Sequence, residues 1–166
     1  MKLYVESELP VDAATAWEIF ESEEYRQRLC QRTQIDQQVL EEREEAGVLH
    51  RRIRTEPDRE LPGMVSSILG AAKLCYIQEN QWHKADSRLD WTVKLEVMTD
   101  KVDVHGTTSI TPIDDEACRR VVEGEIKVRV PLVGGRIEKA VVSEFESSMK
   151  RAVEVAVELM EERGLA

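Results

Sequence analysis

The sequence predicts an α+β domain in which a curved antiparallel sheet of about seven strands wraps around one long C-terminal helix. Three observations carry this. First, Ile137, Val141, Phe145, Met149, Ala152, Ala156 and Leu159 recur at steps of four and three, which places them on one helical face. Second, alternating segments separated by short polar turns fill the chain from Ile35 to Val130. Third, two short helical segments directly follow the first strand.

Leu3, Val5, Ser7 and Leu9 alternate with Tyr4, Glu6 and Glu8, a first strand ended by Pro10. Asp12 is a good N-cap for a helix through Phe20, and Ser22 opens a second, EEYRQRLCQR, acidic at its start and basic near its end. Ile35, Gln37 and Val39 share one face of the next strand, and Glu45-Ala46-Gly47 turns the chain. From Val48 to Thr55, Leu49, Arg51 and Ile53 fall on one side and His50, Arg52 and Arg54 on the other.

After Leu61-Pro62-Gly63, the segment MVSSILGAA predicts one or two helical turns that either close the mouth of a cavity or plug the core. Leu74 to Trp82 reads as a strand. Leu89, Trp91, Val93, Leu95 and Val97 then alternate cleanly with polar residues, giving one buried and one wet face. Val102 to Ile110 follows, with Gly106 a bend or bulge, and Cys118 to Val130 is the last strand. Its inward set is Val122, Gly124, Ile126, Val128 and Val130. A helix from Arg136 to Arg163 would run roughly 40 Å at about 1.5 Å per residue, enough to cross a small domain.

The chain of 166 residues fits a single domain over 1–166 with a real core. A net charge of -10 argues against general nucleic-acid binding, since phosphates are repelled. Cys30, Cys75 and Cys118 are odd in number and widely spaced, with neither a disulfide framework nor a zinc site indicated. The expectation is a cytoplasmic protein with no cofactor, no metal, no signal peptide and no membrane segment.

Three stretches, ELPVDAATAWEIF, LPGMVSSILGAAKLCYIQENQW and VRVPLVGGRIEKAV, together with the order of elements, resemble the START-like (Bet v 1-like, SRPBCC) superfamily. Within it, they are similar to an uncharacterised bacterial branch of polyketide-cyclase-related proteins. The resemblance covers nearly the whole chain. It implies the helix-grip fold, with a cavity between sheet and last helix that in many relatives holds a lipid, sterol or polyketide.

Strand parity and the helix stripe nominate the lining of such a cavity: Trp91, Val93, Leu95, Phe145, Met149 and Ala152, with Met64 and Ile68 as a lid and Ser148 at the stripe's edge. Each is equally at home as plain core. The polar residues that parity turns inward are Gln37, Arg51, Thr108 and Glu138. An inward arginine needs a partner, and Glu138 or an anionic ligand end is the expected one for Arg51. A slip of one residue would turn Arg52 and Arg54 inward instead.

No GxSxG, HExxH or phosphate-loop motif is present, and His50, His83 and His105 lie in or beside different strands. The sequence therefore points first to a protein that binds or carries an apolar or amphipathic, lipid-like small molecule. Alternatives are a cyclase or aromatase using Arg51, Glu138 or a histidine, and a regulatory module with a filled core that binds a protein partner.

Overall fold

The computed structural model describes residues 1–166. Strand β1 (Lys2–Leu9) is followed by helices α1 (Ala13–Phe20) and α2 (Glu23–Thr33). Strands β2 (Ile35–Glu45) and β3 (Val48–Pro57), helix α3 (Gly63–Leu69) and strands β4 (Tyr76–His83), β5 (Arg88–Leu95), β6 (Val102–Pro112) and β7 (Cys118–Val128) come next. Helix α4 (Gly134–Glu162) ends the fold. One seven-stranded antiparallel sheet runs β1-β7-β6-β5-β4-β3-β2, with α4 packed against it. The predicted α+β helix-grip architecture is the observed one.

Local chemistry accounts for the elements. Asp12 caps α1, its Oδ1 accepting from the Thr15 N–H at 2.7 Å, and Ser22 Oγ accepts from the Tyr25 N–H at 3.2 Å to cap α2. Ala46 and Gly47 both take positive φ, 51° and 79°, as a two-residue hairpin matched to strand twist requires. Trp17 Nε1 donates to Ser87 Oγ at 2.7 Å, and that hydroxyl donates to the Ile110 carbonyl at 2.6 Å, fixing α1 to the β5–β6 region.

Alternation in β5 holds as expected: Leu89, Trp91, Val93 and Leu95 are all buried. They join Ile137, Val141, Phe145, Ala152, Ala156 and Leu159 of α4 in one hydrophobic cluster. β2 is an edge strand blunted by a register shift between Val39 and Glu41 and by a run of charge. Val39 shares the face of Ile35 and Gln37, opposite Ile53, but is 39% exposed beside the irregularity. β7 stops at Val128, two residues short of the sequence reading, where Glu138 Oε1 accepts the Val128 N–H at 2.9 Å. No helix is long and apolar enough to cross a membrane.

Candidate functional site

Between sheet and α4 lies an inner chamber of about 160 Å³. A larger outer recess of about 680 Å³ adjoins it, and Ile35, Tyr76, Phe145 and Ser148 line both. Tyr76 and Phe145, with ring centroids 6.3 Å apart, stand at the division.

The apolar floor of the chamber depends on two glycines. Gly106 pairs with Trp91 on one side and Gly124 on the other. The indole lies against both, and a Cβ at either position would fall within 3 Å of it. Phe145 of α4 stacks over Trp91 at 6.4 Å and 12°. The indole Nε1 finds no acceptor, so this platform is held by packing rather than by a hydrogen bond.

The other end of the chamber is polar. Arg51 reaches inward from β3 and donates from Nη1 to Glu21 Oε2 at 2.8 Å and from Nε to Glu42 Oε2 at 3.0 Å. Glu21 caps the C-terminus of α1. Burial pushes its carboxyl upward, against the pull of Arg51, Arg26 and Arg120. Tyr25 and Arg26 enter from α2 and Arg120 from β7. Burial raises the Tyr25 phenol and draws the Arg120 guanidinium down. Gln37 is tied in place, donating from Nε2 to Thr55 Oγ1 at 3.3 Å. No group of His, Cys, Asp and Glu has an arrangement suited to a metal ion.

Of the residues nominated from sequence, Gln37, Arg51, Trp91, Thr108, Phe145, Ser148, Met149 and Ala152 line this one chamber. Val93 and Leu95 do not; both are 2% exposed in solid core. Met64 is 55% exposed, and neither it nor Ile68 lines the chamber or the recess; Leu61 and Pro62, just before α3, line the recess instead. Glu138 is not the partner of Arg51. It accepts from Val128 and lies 3.7 Å from the Met1 amine, away from the chamber. Arg52 and Arg54 face the other side of β3, paired with Glu79 and Glu96. None of the three histidines lines the chamber.

Sequence reasoning missed Glu21, Tyr25, Arg26 and Arg120. Arg120 was within reach, because it shares parity with Val122. The other three sit where α1 meets α2, and only tertiary packing brings that junction over the sheet. Farther along α2, Arg28 forks onto Glu162 at 2.8 and 3.0 Å and Arg32 reaches Glu158 at 2.7 Å, holding α2 against α4.

The fold recurs in solved structures. Zhui aromatase/cyclase from Streptomyces sp. R1128 is 13% identical, with a TM-score of 0.69 over 98% of this chain and 96% of its own. A START superfamily protein from Mycobacterium smegmatis is 18% identical, with a TM-score of 0.62 over 96% and 98%. Norcoclaurine synthase from Thalictrum flavum is 14% identical, with a TM-score of 0.64 over 98% and 87%. At these identities the likeness concerns the fold. No curated protein matches the sequence. The family described as "Protein of unknown function (DUF2505)" matches residues 5–159, and the chain belongs to that family.

Proposed function

We propose that this protein binds or carries an apolar or amphipathic, lipid-like small molecule between its sheet and α4. The observation that supports the reading is the chamber itself: an aromatic floor at Trp91 and Phe145, a polar end at Glu21 and Arg51, and a wider recess beside it. Concave sites with mostly apolar walls and a few placed polar groups suit small-molecule binding. A distant neighbour of the same fold, norcoclaurine synthase, is known in complex with dopamine and hydroxybenzaldehyde, at 13% identity. The three unpaired cysteines fit a reducing compartment such as the cytoplasm.

The test is native mass spectrometry of freshly purified protein, with organic extraction of whatever is released. A one-to-one complex with an apolar or amphipathic molecule supports the reading. A protein that takes up nothing even after incubation with a cell extract would count against it.

Catalysis of the cyclase or aromatase kind has one observation in its favour, a Glu21 carboxyl raised by burial inside the chamber. If Glu21 moves a proton in a reaction, Glu21→Gln would lose turnover while keeping ligand affinity.

A further inference from the structure

Eleven of the fifteen arginines lie within ion-pair distance of a carboxylate. The four that do not are Arg26, Arg120, Arg136 and Arg151. Arg136 is exposed, but Arg26 and Arg120 line the inner chamber and Arg151 lines the recess. Thus three of the four arginines without a carboxylate partner line the chamber or the recess. The inner chamber has three arginines, Arg26, Arg51 and Arg120, against the single carboxylate of Glu21, which already holds Arg51.

Arg120 is the sharpest case. It points inward on the same face of β7 as Val122, and its guanidinium carbon sits 4.4 Å from the centroid of the Phe20 ring. That ring covers one face of the guanidinium but accepts no N–H from its edge. A guanidinium keeps its charge, so partial burial with no carboxylate in ion-pair contact is unfavourable; burial draws its pKa down, against the charges of Tyr25 and Glu21 nearby. The Tyr25 hydroxyl lines the chamber, feels the Arg120 charge and makes no hydrogen bond to the protein. Arg120 also lies four residues along β7 from Gly124, over which Trp91 rests, a separation of roughly 13 Å. A flat apolar body against Trp91 and Phe145 can thus place a charged end toward Arg120.

We propose that Arg120, assisted by Tyr25 and Arg26, is the anion seat of this cavity, and that the ligand is an organic carboxylate whose apolar body rests on Trp91 and Phe145. This rests on the binding reading above and narrows it to a chemical class. Arg51 is not the seat, because its charge is already met by two carboxylates, Glu21 on Nη1 and Glu42 on Nε. A carboxylate would accept a fork of two N–H bonds from Arg120 and one O–H bond from Tyr25.

The experiment compares naphthalene-2-carboxylate with its neutral isostere, naphthalene-2-carboxamide, by isothermal titration calorimetry. Wild-type protein is expected to bind the carboxylate about tenfold or more tightly than the amide, the scale of a charge-assisted hydrogen bond. Arg120→Met is expected to reduce that preference to about twofold or less, mainly through lost affinity for the carboxylate. Equal affinity of wild-type protein for both probes, or a preference that survives in Arg120→Met, overturns the anion seat and leaves the cavity reading intact. Failure of wild-type protein to bind either probe sinks both. Should Arg120→Met not fold, the Arg120 Nε–H resonance of wild-type protein decides. It should shift saturably with the carboxylate and not with the amide; equal or absent shifts overturn the proposal.

Discussion

Arg51 Nη1 donates to Glu21 Oε2 at 2.8 Å, so an ion pair with side chains 10% and 15% exposed ties the middle of β3 to the end of α1. The pair also closes the polar end of the chamber, which links the stability of the junction to the shape of the site.

Removing one member leaves the other enclosed. Arg51→Met should destabilise the protein by about 3 kcal/mol at pH 7, in the range for breaking a buried pair. The sign with pH follows from Glu21. Its carboxyl is raised by burial, so its ionisation opposes folding as pH climbs from the ordinary carboxylate range through the raised value. Without Arg51 that opposition grows. The deficit of Arg51→Met should therefore be largest at neutral pH and shrink in acid, where Glu21 is protonated. Urea denaturation of both proteins at pH 7 and at about pH 4 measures this; a deficit that grows in acid would refute the assignment.

Gly124→Ala tests the aromatic floor. A methyl there would meet the His105 carbonyl oxygen at 2.5 Å and Trp91 Cη2 at 2.8 Å. The backbone partner cannot yield as a side-chain tip can, so we expect a loss of about 3 kcal/mol, at the upper end for overpacking. Thermal unfolding gives the value, and near-ultraviolet circular dichroism should report a displaced indole. A variant as stable as wild type would show that the glycine pair is not required.

Cys118 is fully buried on β7, and burial pushes its thiol up to about 11. Folded protein at pH 8 should therefore take iodoacetamide at Cys30 and Cys75 at most, both slowly since burial raises their thiols too. Cys118 should react only after denaturation. Peptide mapping distinguishes the sites, and labelling of Cys118 in folded protein at the rate of a free thiol would contradict the packing of β7.

Much of this was legible because period is a strong signal. The clean alternation of β5 put Trp91 inward, the parity of β3 put Arg51 inward and Arg52 and Arg54 outward, and the α4 stripe gave Phe145, Met149 and Ala152. Period does not say where along a face the core is solid and where it opens. Val93 and Trp91 share a face of β5, yet only Trp91 borders the chamber, because the space depends on α1 and α2 at one end of the sheet. Glu138 misled for a related reason: a carboxylate within an apolar stripe can satisfy a strand's terminal N–H as readily as an arginine. Arg120 obeyed the parity rule and could have been read from it.

The central claim is that the space beneath α4 holds a small molecule, and Ala152 is the residue through which to test it. Ala152 lines the chamber and is 6% exposed, so Ala152→Trp puts an indole where the ligand would lie. The measurement is native mass spectrometry of wild-type and folded Ala152→Trp protein after incubation with the same organic extract of cells. The account predicts a one-to-one complex in wild-type protein and none in the variant. Equal complexes in both proteins, or none in either, would contradict it.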